Sequence, residues 1–397
     1  MTKPAADRAH SRAAFLDAAG WGKAAATALT ADASTRSYER LWLGGRSALL
    51  MNAPPAAEGA ACPVDASPKT RRRLGYNAMA RLAGPNLHAY MAIAKTLRAA
   101  GLSAPEVFAA DPARGFALIE DLGDDLYVRA IPKGAEEKTL YEAAVDALLR
   151  LHAARPAPPQ SPQYTMLSYD RTALEAEIGL LIEWYWPHRL ERRAKKWTPV
   201  FRKNGATTKD STASCDHDLS HDAVGGPAPA SLAADYFAAW ASVLDRVSAP
   251  CDIILRDYHA ENLLWLADRE GPRRVGIIDF QDGLVGCAAY DLVSLLEDAR
   301  RDVDLTLAEA MIERYIEGAG AQNGFDEAAF RCDYAILAAQ RNTKILGIFA
   351  RLVNRDKKPR YLDFLPRVEA HFRRDLQRAP LAPVRAFFAA HFPDLAP

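Results

Sequence analysis

CDIILRDYHAENLLWL, residues 251–266, changes character twice. An apolar run, Ile253-Ile254-Leu255, stops at Arg256-Asp257-Tyr258-His259. Asn262 follows, and the chain turns apolar again over Leu263–Leu266. Downstream, Ala267–Arg274 is polar with an internal Gly-Pro, and Val275–Ile278 is a second apolar run ending at Asp279. Short apolar runs punctuated in this way read as buried strands joined by a turn. Pairing them antiparallel sets Leu266 opposite Val275 and Leu263 opposite Ile278. One step further, Asn262 faces Asp279. Cross-strand neighbours have Cβ atoms about 5 Å apart. An amide oxygen and a carboxylate that close form half of a site for a hard cation, Mg2+ above all, with waters and phosphate oxygens supplying the rest. Asp257, on the loop entering this hairpin, can point at the same spot. Phosphoryl transfer needs this set: groups that hold a phosphate-neutralising metal, and a carboxylate that orients and deprotonates an attacking hydroxyl.

The chain around this stretch has 397 residues, too many for one simple core, so two lobes are expected. Fifty Lys and Arg balance fifty Asp and Glu, which leaves no long-range field to hold nucleic acid or an anionic membrane. Hydrophobic content of 49% and charged content of 25% are those of an ordinary soluble protein. No stretch of about 18 apolar residues is present to span a bilayer. Cys62, Cys215, Cys251, Cys287 and Cys332 are scattered, with no C-x-x-C pair. That argues against a disulfide framework or zinc ribbon, and with no apolar signal core at the start it places the protein in the cytoplasm. The expected partner is a small molecule, with oligomeric state left open.

Along the chain, residues 11–29 read as a helix and 38–53 as a hairpin around Leu43-Gly44-Gly45-Arg46. Residues 56–73 read as a loop ending in a solvated basic run, Lys69–Arg73. Residues 86–100 show helical spacing closed by Gly101, and Phe116–Ile119 is a buried strand after which the lobe boundary is placed. Helices follow at 138–153, 231–247, 289–301, 306–318 and 326–354. Residues 191–230 are rich in charge and then in Ser, Thr, Asp, Gly and Pro, and read as a mobile insertion. His217 and His221, with Cys215 nearby, have zinc-like spacing, but the polar context favours a loop.

Asp257 to Asn262 and Ile277-Ile278-Asp279-Phe280 resemble the catalytic loop and metal-binding strand of the aminoglycoside phosphotransferase family, relatives of the protein kinases. Within it the chain is most similar to bacterial N-acetylmuramate/N-acetylglucosamine anomeric kinases. That likeness runs through DASTRSYERL (32–41), LLMNAPP (49–55), GFALIEDLGDDLY (115–127), RDYHAENLL (256–264), IIDFQDGLVGCAAYDLVSLLEDAR (277–300) and AAQRNTKILGIFARL (338–352). The resemblance implies an α+β, two-lobed kinase-like fold. A small β-rich N-lobe, 1–120, would bind ATP or GTP, and a larger helical C-lobe, 121–397, would carry catalysis and the sugar.

By the same resemblance Asp257 is the catalytic base and Asn262 and Asp279 bind Mg2+. Ser34, Thr35, Arg36 and Arg40 belong to a loop covering the phosphates, and Glu120 to Leu122 form the hinge that meets the adenine. His259 is placed at the γ-phosphate and Arg256 at the acceptor. Arg341 and Lys344 on a C-terminal helix are placed to meet a sugar carboxylate. Asp291 is read as structural, bonding the backbone of the catalytic loop. Trp184, Tyr185 and Trp186 read as core with an alternative as a sugar platform. Two departures stand out. Leu255 replaces the family's histidine before the catalytic aspartate, and the lysine–glutamate pair that grips the phosphates is missing on both sides. Met51 takes the lysine's place, and no glutamate lies between Gly59 and Gly101. Loss of both partners leaves no orphaned charge, and the phosphate grip falls to Arg36, Arg40 or one of Arg71 to Arg73. The same fold acting on an aminoglycoside, choline or another alcohol, and a non-catalytic nucleotide-binding pseudokinase, are the alternatives.

Overall fold

Gly44 and Gly45 both take positive φ, 56° and 78°, the backbone a two-residue hairpin turn needs to match the twist of its strands. In the computed structural model, which describes residues 3–29, 36–55, 61–190, 226–321 and 324–397, this turn joins β2 (Ser37–Leu43) to β3 (Arg46–Asn52). With β1 (Ala25–Ala28), β4 (Val107–Asp111) and β5 (Phe116–Ile119) they form an antiparallel sheet in the order β1-β2-β3-β5-β4. β5, the strand expected at 116–119, is buried along its whole length. A helix, Lys3–Ala18, closes one face of the sheet. Phe15, Leu16 and Trp21 pack there on Leu41, Leu50, Phe116 and Leu118, with Phe15 stacked on Phe116 at 5.7 Å.

The helix expected at 11–29 is therefore displaced. It ends at Ala18, Gly20 turns the chain at φ 76°, and β1 follows. All four β1 residues are exposed, so this edge strand leaves no alternating pattern in the sequence. The basic run is solvated as expected at Lys69, Arg72 and Arg73, but it is helical rather than a loop, and Arg71 is the exception to its exposure. Ser67 caps a short helix, Pro68–Leu74, in which Arg71 is buried, ion-paired to Asp170 at 2.6 Å and bonded to the Ala78 carbonyl. The helix expected after residue 86 runs Leu87–Ala99, and its Tyr90 stacks on Phe280 at 4.8 Å.

The described chain divides into two compact units, Met1–Ala173 with Ser248–Tyr334, and Leu174–Val247 with Ala335–Pro397. This partition differs from a single cut after residue 120: the sheet and the hairpin read first in the sequence share the first unit. The second unit is helical. Gly347 lets two helices touch, since a Cβ there would lie 2.4 Å from the Leu180 carbonyl carbon. Tyr236 is buried among Trp240, Phe387 and Phe388 and donates to the Ile178 carbonyl at 2.8 Å. Tyr185 donates to Glu369 at 2.6 Å and Trp186 meets Phe392 edge-on at 5.0 Å, so both serve packing. Among the described residues no helix is long and apolar enough to cross a membrane. Residues 191–225, with Cys215, His217 and His221, lie outside the described chain, as do Ser34 and Thr35; Ala230, at the end of the expected insertion, begins the helix Ala230–Leu244.

Candidate active site

The two short strands predicted around the turn are Leu263–Trp265 and Val275–Ile277, and they pair antiparallel. Their register is one residue from that expected. Trp265 faces Val275, Leu263 faces Ile277, and the Leu266 N–H donates to the Arg274 carbonyl at 2.8 Å. A 3-10 turn, Gly271–Arg274, takes up the residue that a symmetric loop leaves over. Asn262 thus faces Ile278, whose N–H donates to the Asn262 carbonyl at 3.1 Å. Such a slip sends a side chain to the other face. Asp279 lies off the strand with φ 58°, in the left-handed region, and its carboxylate is close enough to Asp257 to feel that charge. Arg256, just before Asp257, sits at φ 70°. Non-glycine residues hold such angles only where their surroundings over-determine them, and they collect at functional sites.

Asp291 supplies that determination. It is fully buried, and its two carboxylate oxygens accept the N–H groups of Leu255 at 2.6 Å and Arg256 at 2.8 Å. The structural role expected for it is the one it has. Ser294 adds a bond to the Arg256 carbonyl at 3.1 Å. The strand Asp252–Ile254 runs straight into this clamp, paired with Leu284–Gly286. Asp291→Ala is expected to orphan two buried donors at roughly 1–3 kcal/mol each. Thermal unfolding should show a midpoint several degrees lower together with reduced turnover; an unshifted midpoint would contradict the clamp.

Asn262 donates its Nδ2 to the Asp257 carbonyl at 2.9 Å, which leaves Oδ1 as the outward-facing acceptor. His259 packs against that amide. It is 4% exposed, with Nε2 3.4 Å from Asn262 Nδ2 and 3.3 Å from the Arg300 guanidinium. Two donors meet Nε2, so that nitrogen accepts and the ring proton sits on Nδ1. The imidazole props the amide. The Asp279 side chain is 44% exposed but ringed by protein, and its Oδ1 accepts from Gln281 Nε2 at 2.8 Å. Its pKa is raised above the usual carboxylate value, first by that crowding and then by the Asp257 carboxylate. Burial raises Asp282 as well; its Oδ1 accepts the Ala83 N–H at 2.6 Å. Asp257, Asp279 and Asp282 therefore concentrate negative charge in one place, and a divalent cation relieves such a cluster.

Among the arginines left to replace the missing lysine, the structure separates three. Arg36 lies 3.8 Å from Asp279 and donates to the Gly84 carbonyl at 3.0 Å. Arg40 is taken up by Asp121 at 2.8 Å and Asp124 at 2.7 Å, which pin β2 to the segment after β5. Arg71 is the buried partner of Asp170. Met51 is fully buried in β3. Arg256, expected at the acceptor, is a frame residue, 2% exposed, donating to the Ala80 carbonyl at 3.2 Å with its guanidinium 5.3 Å from the Tyr169 ring. In the second unit Lys344 is ion-paired with the fully buried Glu177 at 3.3 Å, beside Gln340, which donates to the same carboxylate at 3.1 Å. Arg341 on that helix is buried too. This face is neither solvated nor open, so both residues are held inside their own unit.

Glu120 is fixed by Arg98 at 3.2 Å and Arg269 at 2.6 Å, and its N–H donates to the Glu106 carbonyl at 2.8 Å. Leu122 packs on the catalytic hairpin: a Cβ at Gly276 would lie 3.2 Å from Leu122 Cδ1 and 3.1 Å from Leu264 Cβ. Gln281 and the proximity of Arg36 to Asp279 were not legible in the sequence, where a lone glutamine between Phe280 and Asp282 carries no pattern.

A loop carboxylate, an amide and a second carboxylate thus lie close together, next to backbone held by the buried Asp291. The model of the phosphotransferase enzyme family matches residues 25–331, and the chain belongs to that family. It is 42% identical over 98% of its length to an N-acetylmuramate/N-acetylglucosamine kinase of Caulobacter vibrioides, covering 97% of that protein. A Pseudomonas putida protein of the same name is 29% identical over 91% of this chain and 87% of its own. Among solved structures, a choline/ethanolamine kinase family protein of Mesorhizobium loti aligns over 96% of this chain and 99% of its own, at 15% identity and a TM-score of 0.51. A Plasmodium vivax ethanolamine kinase aligns over 89% and 84%, at 11% identity and a TM-score of 0.52. These two show the kinase-like fold, with a small antiparallel sheet and a larger helical part. The protein is an enzyme of the kinase class, acting on a hydroxyl acceptor.

Proposed function

We propose that the protein transfers the γ-phosphate of ATP to the anomeric hydroxyl of N-acetylmuramate or N-acetylglucosamine, a step in recycling cell-wall sugars. The observation that carries this is the 42% identity with the Caulobacter vibrioides kinase over nearly the whole of both chains. The grouping of Asp257 with Asn262 and Asp279 is consistent with it.

In this reading Asp257 orients the sugar hydroxyl and takes its proton as the bond to phosphorus forms. Asn262 Oδ1 and the Asp279 carboxylate would hold Mg2+. The donor set fits: one amide oxygen, one carboxylate, and the negative charge of Asp257 and Asp282 beside it. Mg2+ commonly binds through one or two carboxylates and completes its shell with phosphate oxygens and water. When bound it neutralises the phosphates. Arg36, beside Asp279, takes over the charge role of the absent lysine and needs no glutamate to hold it, since Gly84 does so. The Glu120 N–H is already bonded, so the Leu122 backbone is assigned to meet a nucleobase edge.

An acceptor panel tests the proposal: N-acetylmuramate, N-acetylglucosamine, glucose, kanamycin, choline and ethanolamine, each with ATP or GTP and Mg2+. Phosphate on the anomeric oxygen of the N-acetyl sugars is the expected product. Turnover confined to kanamycin or choline would reassign the acceptor, and no turnover with any would favour a nucleotide-binding protein without catalysis.

A further inference from the structure

Beside the reaction centre lies a cavity of about 170 Å³, walled by residues 61–64, 81–83 and 86, 161–165 and 167, and 281, 283 and 284. Space of roughly 10–15 Å³ admits one water, so the cavity has ample room for a small substituent. Two of its lining side chains carry polar atoms with nothing to bond. Gln281 is 4% exposed; its Nε2 is spent on Asp279, and its Oε1 is buried without a partner. Arg81 holds Asp170 at 2.9 Å and the Ser168 carbonyl at 2.6 Å with its terminal nitrogens, while its Nε is buried without a hydrogen-bond partner. The Cys62 thiol, at best a weak acceptor, lies beside that guanidinium. Buried polar atoms are almost always bonded, and each exception asks for an explanation. Here one orphan accepts and the other donates, and both belong to side chains that line one cavity. Pro63, Val64, Leu82 and Leu284 supply its apolar surface.

The cavity is tied to the chemistry on two sides. Gln281 bonds Asp279 directly, and Arg36 joins Asp279 to Gly84, next in the chain to the lining residue Ala83. A secondary amide offers a donor and an acceptor on separate atoms with a small apolar group attached. A hydroxyl offers both from one atom and has nothing for the apolar walls. We infer that this cavity receives the acetamido group of the acceptor, with the amide N–H donating to Gln281 Oε1 and the amide carbonyl accepting from Arg81 Nε. The assignment rests on the N-acetyl amino sugar reading above, and it makes Gln281 a specificity residue as well as a support for Asp279.

The test is the ratio of kcat/KM for N-acetylglucosamine to that for glucose, in the wild type and in Gln281→Leu. Loss of support for Asp279 slows both acceptors alike and cancels in the ratio. Loss of the amide contact does not cancel, and the ratio is expected to fall about tenfold to a hundredfold. Leu82→Trp, which fills the cavity without touching Asp279, is expected to raise KM for N-acetylglucosamine at least about tenfold. An unchanged ratio in the first variant with an unmoved KM in the second overturns the pocket while leaving the proposed function standing. A wild-type enzyme that phosphorylates no N-acetyl sugar overturns both.

Discussion

Asp257→Asn is expected to lower kcat by about 10²- to 10⁴-fold while nucleotide affinity and the unfolding midpoint hold. The reasoning is local. The Asp257 backbone is fixed by contacts the substitution leaves intact: the Asp291 clamp on Leu255 and Arg256, and the bond from Asn262 Nδ2 to the Asp257 carbonyl. What changes is the ability to accept a proton from the acceptor hydroxyl. Single-turnover rates with saturating sugar separate this from binding. A variant with wild-type kcat would remove Asp257 from the chemistry.

Asp279→Asn is expected to cost at least about 10²-fold in turnover, because the metal grip that spreads the developing phosphate charge is weakened. Its effect on stability runs the other way. The Asp279 pKa is raised in the fold, so between the ordinary value of 3.8 and the folded value the native state binds more protons than the unfolded chain. Stability contributed at this site therefore falls as pH rises through that window, and at neutral pH the ionised carboxylate is a burden on the fold. Removing the charge should leave the midpoint at pH 7 equal to or slightly above the wild type, the gain being small because solvent reaches the side chain. The difference between variant and wild type should shrink toward acidic pH. A midpoint several degrees lower at pH 7 would mean that Asp279 is structural.

How far the site was legible follows from how its parts are built. The apolar runs around residues 251–279 marked buried strands, and polar residues at their ends marked a centre, because burial of those flanks is what makes the frame rigid. The register was misread by one residue since a 3-10 turn leaves no trace in polarity. The left-handed backbone of Asp279 was equally silent in the sequence. Edge strand β1 was invisible because its exposed alanines pair through the backbone alone. Arg71, Arg256 and Lys344 carry no sign of their surroundings: a cation in a sequence reads as solvent-facing or ligand-facing, whereas each of these is buried against a partner that lies far along the chain. Asp291, by contrast, was readable because an acid at the start of an otherwise apolar helix has few uses besides gathering nearby N–H groups.

The claim on which the account turns is that Asn262 and Asp279 share one cation, with Asp257 facing the acceptor side. A crystal structure of the complex with ADP and Mn2+, the metal located by its anomalous scattering, tests it most directly. The account predicts Asn262 Oδ1 and an Asp279 carboxylate oxygen both within about 2.0–2.3 Å of one ion that also touches the phosphates. A metal bound elsewhere, or held by only one of the two residues, would contradict it.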